Sequence, residues 1–472
     1  MVAIRHISPA AATVFLSVIA GLVVAFFLVA DGEDTGVSAS CLAIFYLLLL
    51  SAVRRPIRIA PYVPGFVTIE LLFLIFCFFV CYLSYQQALL GLLDIGASRF
   101  VPKTFSEEAS RAILLSTAGI VAFSFGFRWK RAYLVGPPPV ADNRNIALLP
   151  QLVLVGLVGL MSVYLLAGWR AEGEGRYTGT SFGGVLAEGA SLLVTMLSMM
   201  ALALVVARLA RRERPGFAEW CSALLAIIWG VRLLSLGDRN AALLLLIVLG
   251  GGLATFRFRI GRLTILAALL LSLHVYDRVE TLRGEDERGL ADLATVSDHF
   301  GETSFNISAI TVRAALATVP AEEGFALGLY KLYGFAGVVP FVRGLAVAGH
   351  DLILTSADYL TRVMLPANAG WNVGTSLIAD IYLDFGIFGV PMVMFLLGRI
   401  AGWAQNRVIA DPFSTPKIVT YLLTLALFAE LPRYAADFPV RILVWSCALM
   451  LLARWMTPQP IPHPAYSVGG SG

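Results

Sequence analysis

Charge is scarce in this 472-residue chain: Asp, Glu, Lys and Arg make up 14% of it, against 58% hydrophobic residues and a mean hydropathy of +0.81. Ordinary soluble domains carry charge on about a quarter of their residues, so a soluble chain is excluded. Cysteine is thin as well. The five, Cys41, Cys77, Cys81, Cys221 and Cys447, all fall inside apolar runs, where they read as small hydrophobes and not as a disulfide framework. Cys77 and Cys81 share a helix face but have no His or carboxylate neighbours, so no metal site is expected. A net charge of +4 does not imply nucleic-acid binding. The period-two alternation of an outer-membrane barrel is missing, and so are internal repeats, soluble domains and low-complexity linkers. What remains is one transmembrane domain over 1–472, with a Pro-, Ser- and Gly-rich tail at 458–472 that reads as disordered.

Long apolar runs are what the chain does have. In hydrocarbon every backbone N–H and C=O must be satisfied internally, so runs of this length form helices. At about 20 residues per span, roughly twelve are expected: 10–30, 37–53, 62–85, 109–127, 146–168, 187–207, 218–236, 241–256, 263–276, 376–398, 416–432 and 440–455. The fold class is therefore an all-α polytopic membrane protein. Leu28-Val29-Ala30 is a poor cleavage site, which makes the first span a retained one. Alternate connections are basic: Arg54, Arg55 and Arg58; Arg128, Lys130, Arg131 and Arg144; Arg208, Arg211, Arg212 and Arg214; Arg257, Arg259 and Arg262; Arg399, Arg407 and Lys417. The positive-inside bias puts these connections and both termini in the cytoplasm. The segment 277–375 then forms a large outer loop. Within it Phe325 to Gly349 is apolar but interrupted by Lys331, Pro340 and Arg343, a pattern that predicts interfacial or re-entrant helices.

Several spans are short. Those at 241–256 and 263–276 offer about 16 and 14 residues, and Ile418 to Ala429 about 12, against about 20 needed. Their outer ends should sit below the membrane surface, and they carry Asp238, Arg239, Asn240, His274, Asp277, Arg278, Glu430, Arg433 and Asp437. Arg232, seven residues before Arg239, lies on much the same face. A lone Arg at a helix centre costs about 2.5–3.5 kcal/mol, so several at one depth argue for a water-filled basic depression. Guanidinium groups there suit a membrane-borne phosphate or pyrophosphate. Snorkelling and structural ion pairing are the alternatives, with Arg433 and Asp437 an obvious i, i+4 pair. In the mixed-sign run from Arg278 to Arg288, only Arg278 and Arg283 lie close to the membrane. Ser376, Asp380 and Asp384, four apart, line one face of the tenth span. Glu70 and His350 read as structural.

The segments GTSLIADIYLDFGIFG (374–389), VPAEEGFALGLYKLYGFAGVVP (319–340), GDRNAALLLL (237–246) and LPRYAADFPVR (431–441), in this order and topology, resemble the Wzy-type polymerases that join oligosaccharide repeat units into O-antigen and related bacterial polysaccharides. The family often has Glu where this chain has Asp380. The resemblance implies a C-type glycosyltransferase fold in the bacterial inner membrane, with no cofactor and no obligatory metal. It implies transfer of a growing glycan from undecaprenyl pyrophosphate to the non-reducing end of a lipid-linked repeat unit on the periplasmic face. The expected partners are the lipid-linked donor and acceptor, membrane lipids and a chain-length regulator. In that setting Arg232, Arg239, Arg278, Arg283, Arg433 and Arg441 are candidates for holding pyrophosphate, and Asp380, Asp384 and His299 for acid–base work. An O-antigen ligase, and a transporter or flippase of lipid-linked saccharide, are the competing readings. The last usually shows broken helices in related halves, and no repeat is present.

Overall fold

A computed structural model describes residues 2–55, 65–134, 146–169, 184–235, 238–258, 261, 264, 267, 303–339, 355–367, 369 and 371–457. The chain starts with strand β1 (Val2–His6), followed by helices α1 (Pro9–Leu28), α2 (Thr35–Val53), α3 (Ile69–Leu89) and α4 (Ala109–Arg128). Strand β2 (Lys130–Leu134) leads to α5 (Leu149–Leu166), α6 (Gly184–Ala210), α7 (Phe217–Ser235) and α8 (Arg239–Phe256). Three shorter helices follow, α9 (Ser304–Thr318), α10 (Leu329–Ala336) and α11 (Ser356–Met364). The last three are α12 (Leu377–Ala410), α13 (Thr415–Glu430) and α14 (Phe438–Met456). Among the described residues, ten helices are long and apolar enough to cross a membrane: α1 to α8, α12 and α14. The protein is thus a polytopic helical membrane protein. Of the other two expected spans, 416–432 matches α13, a buried 16-residue helix. Apart from residues 264 and 267, the span at 263–276 lies outside the described residues, as do Arg278, Arg283, His299, His350 and the tail at 458–472.

Two kinds of helix are distinguished by what surrounds them. The peripheral α1, α5, α7 and α14 expose Leu, Val, Ile and Trp side chains such as Leu28, Val155, Ile227 and Trp455, as suits helices bathed in lipid. By contrast α4 is buried along 94% of its most apolar window. Its close partner is α12. Gly398 and Gly402, one turn apart on α12, press against the carbonyls of Phe123 and Phe127 on α4, while Gly126 on α4 meets the carbonyl of Phe395. Lipid tails are as apolar as leucine, so helices in a membrane gain little from hydrophobic burial and associate through close van der Waals contact, which small residues allow. Phe73 of α3 stacks on Phe123 at 3.7 Å.

The extent of α12 differs from the expected span of 376–398. It continues to Ala410, carrying Arg399 and Arg407 as helical residues and not in a loop. The extension has a partner: β1 and β2 pair antiparallel with His6 opposite Lys130, and Asn406 of α12 clamps β2, accepting from the Ala132 N–H at 2.9 Å and donating to the Lys130 carbonyl at 2.8 Å. No strand was expected, because residues 2–6 read as the basic flank of a first span. Nearby, Arg128 Nε meets the Glu70 carboxylate at 2.6 Å and its Nη1 donates to Ser51 at 3.0 Å, joining α2, α3 and α4.

Because Gly402 leaves no room beside the Phe127 carbonyl, Gly402→Val should push α12 off α4. The overpacking is expected to cost about 1–3 kcal/mol and lower the melting temperature in detergent, while the same change at Gly159, Gly159→Val, where a Cβ meets nothing within 4 Å, leaves it nearly unchanged.

Candidate active site

The site begins with a break in a helix. Gly386 of α12 has φ 67° and ψ −164°, a conformation open essentially to glycine alone. The break takes the carbonyls of Leu383 and Asp384 out of the helical ladder, and buried carbonyls need donors. An incoming segment supplies them: Ala326 N–H donates to the Leu383 carbonyl at 2.9 Å and Leu327 N–H to the Asp384 carbonyl at 3.0 Å. Phe325 packs edge-on against Tyr382 with ring centroids 5.7 Å apart and lies over Gly386, where a Cβ would come within 3.1 Å of its ring.

The same segment delivers Lys331. Its Nζ lies 2.6 Å from Asp380 Oδ1 and 2.8 Å from Asp384 Oδ2, and donates to the Asp380 carbonyl at 3.2 Å. All three side chains are buried, Lys331 to 7% exposure and the two Asp residues to 1% or less. Burial acts to lower the lysine pKa, but the two carboxylates outweigh it and hold the ammonium above its ordinary value. The remaining acceptor sites are also in use. Asp384 Oδ1 takes the N–H groups of Gly328 at 3.1 Å and Tyr330 at 3.4 Å. Asp380 accepts from the Ser356 hydroxyl at 2.6 Å and from the Ala436 N–H at 2.7 Å. One carboxylate therefore ties together α10, α11, α12 and the turn before α14.

Asp437 and Arg441 flank this centre. The Asp437 carboxylate packs against Gly334 of α10, where no side chain would fit, and the Arg441 guanidinium packs against Gly337 in the same way. Burial and the like charge of Asp380 raise the Asp437 pKa, with Lys331 and Arg441 opposing. Trp445 Nε1 donates to the Val338 carbonyl at 2.8 Å, so α10 rests across the start of α14. Beneath it, α9 packs on α12 with the hydroxyls of Thr311 and Ser376 2.9 Å apart.

A second group of charges lies on the same turn. Arg433 Nη1 donates to Asn240 Oδ1 at 3.4 Å and its guanidinium covers the Phe305 ring at 5.5 Å. Arg239, 6% exposed, opens α8, capped by Asp238, and Glu430 ends α13 at 3% exposure. Arg239, Arg433, Asp238 and Glu430 all lie close enough to act on the phenol of Tyr434. The polar ends of the short spans α8 and α13 thus meet. Arg232 occupies the last turn of α7, partly buried.

The structure therefore brings Asp380 and Asp384 together, sets Arg441 beside them, and gathers Arg239 with Arg433 one turn away. Lys331 was missed as a functional residue, because an apolar run punctuated by a lysine reads as an interfacial helix. The signal available was charge balance: two buried Asp residues on one helix face need a cation, and Lys331 lies within the segment expected to approach them.

Fold and site together define a polytopic helical membrane protein with a buried charged centre at one end of its bundle. The family model for O-antigen polysaccharide polymerase Wzy matches residues 191–459, more than half of the chain and all of α7 to α14, so the protein belongs to that family of polymerases, which act on lipid-linked oligosaccharides. No curated protein and no solved structure matches the chain.

Lys331→Met would leave two carboxylates buried without their cation, which should cost about 3–5 kcal/mol. Asp384→Asn keeps the Lys331–Asp380 pair and one acceptor oxygen, and should cost about 1–3 kcal/mol. Thermal unfolding of the purified variants in detergent measures the order.

Proposed function

We propose that the chain transfers a growing glycan from undecaprenyl pyrophosphate to the non-reducing end of a lipid-linked repeat unit on the periplasmic face of the bacterial inner membrane. The observation that supports this most is the meeting of the polar ends of two short spans, with Arg433 bonded to Asn240 beside the buried Arg239. In this reading the connections rich in Lys and Arg face the cytoplasm, twelve spans cross the membrane with both termini inside, and the charged end of the bundle opens outward.

The bond that breaks joins the anomeric carbon of the donor glycan to the pyrophosphate, and the bond that forms joins that carbon to an acceptor hydroxyl oxygen. The leaving pyrophosphate gains negative charge as it departs. Arg239 and Arg433, with Arg232 and Arg441 nearby and Arg278 and Arg283 from the loop, are placed in this scheme to stabilise it, since fixed charges act best where charge develops in the transition state. Guanidinium groups also keep their charge and fork onto phosphate oxygens. The acceptor hydroxyl proton needs a base. Asp380 and Asp384 have their oxygens committed to Lys331, Ser356 and backbone N–H groups, which favours a positioning role for both and leaves His299 to take the proton. No metal enters this scheme, and a chain-length regulator would act from outside it.

Purified protein in liposomes supplied with lipid-linked repeat units should produce a ladder of polymer, and Arg239→Gln or Arg433→Gln should slow elongation about 100-fold in protein that still folds and inserts. Movement of substrate across the bilayer without any polymer, or wild-type ladders from both variants, would overturn the assignment.

A further inference from the structure

A hollow of about 350 Å³ lies between α11 and the segment that leads into α12. It is separate from both charged groups and is at the small end of the range for ligand clefts, about 300–1,000 Å³. Its wall combines the apolar Leu365, Pro366 and Trp371 with the polar Asp358, Thr361, Arg362 and Asn372. One acid and one base give the hollow little net charge, which does not suit a phosphate. What the wall provides instead is an alternation of donors and acceptors: carboxylate, hydroxyl, guanidinium and amide.

The wall is also held in place before any ligand arrives. Asn372 Oδ1 accepts from the Thr361 hydroxyl at 2.6 Å and from the Gly374 N–H at 2.8 Å, so its amide N–H groups are what it can extend to a ligand. Val373 N–H donates to Thr361 Oγ1 at 3.2 Å. Thr355 caps α11 and bonds Asp358 Oδ2 at 2.6 Å, and Arg362 meets Glu323 at 2.6 Å. Through Ser356 the helix is fastened to Asp380 at 2.6 Å, which fixes the hollow relative to the buried centre.

We propose that this hollow is a saccharide-binding subsite. A sugar ring has an apolar face of C–H groups and a rim of hydroxyls that each donate and accept. A lining that holds an aromatic residue together with mixed polar side chains complements both. Trp371 stacks on the sugar face, and Asp358, Arg362 and Asn372 bond the hydroxyls. Resting on the polymerase reading, the occupant is a sugar of the lipid-linked repeat unit, and the subsite sets where that unit lies while its neighbour reacts.

The test uses the oligosaccharide released by mild acid from the host's own lipid-linked repeat unit, radiolabelled, in equilibrium dialysis against the full-length protein in detergent. Wild type should bind it. Trp371→Leu, which keeps an apolar side chain but removes the π face, should bind about two- to tenfold more weakly, and Trp371→Phe should restore most of the loss. Arg362→Gln, at a side chain 55% exposed and so with little bearing on folding, should weaken binding about threefold even if Trp371→Leu proves unstable. Unchanged binding by Trp371→Leu and Arg362→Gln, or no binding by a wild type that makes polymer, overturns the subsite and leaves the polymerase reading intact. Trp371-dependent binding by a wild type that never makes polymer upholds the subsite and removes the polymerase reading.

Discussion

Burying one lysine between two aspartates in a membrane protein is costly, and the cost recedes only if the geometry around all three is complete. Here it is complete because of the break at Gly386. The break gives up two helical hydrogen bonds, and the backbone of 326–330 replaces them while carrying Lys331 to Asp380 and Asp384. Neither half is stable alone. An unbroken α12 would have no acceptors for the incoming segment, and the segment without its lysine would leave two carboxylates uncompensated. The placing of α10, α11 and the turn at 431–437 all follows from this mutual dependence.

The rest of the bundle supplies rigidity of another kind. Gly398, Gly402 and Gly126 bring α4 and α12 into backbone contact, and the upper half of α12 is in turn fixed by the loop. The charged centre is therefore mounted on a pair of helices in backbone contact, and of the lipid-facing helices α14 borders it through Arg441 and Trp445. Arg433, bonded to Asn240 of α8, sits on the same turn as Ala436, whose N–H bonds Asp380, so the two groups of charges share one turn.

Much of this was legible in the residues. Apolar runs located the spans because hydrocarbon tolerates no unsatisfied backbone, and eleven of the expected spans coincide with helices in the described residues, ten of them long and apolar enough to cross a membrane. Shortness of the spans at 241–256 and 416–432 drew attention to the polar residues at their ends, among which Arg433 meets Asn240. Other features could not be read. The partner of Asp380 and Asp384 lies about fifty residues away in sequence, and periodicity carries no information about pairs so distant. Gly386 looked like one of several glycines suited to close packing, and only its backbone conformation reveals a break. The buried α9 was hidden too, because a 15-residue helix with Arg313 inside it reads as loop. Arg313 Nη1 donates to the carbonyls of Ile95 and Thr104 at 3.2 and 3.4 Å, contacts that no local pattern announces.

The small β-pair at the opposite end has a bearing on how the chain is made. Residues 2–6 find their partner only at 130–134, and that partner is clamped by Asn406. A ribosome releases the first strand before β2 and long before Asn406, so the clamped pair cannot be complete until most of the bundle has been made. Contacts between such remote parts of a chain close late. Pairing of the N-terminus would then mark the end of assembly, and a tag placed there would reveal, through its accessibility to protease, whether a newly made molecule has finished folding.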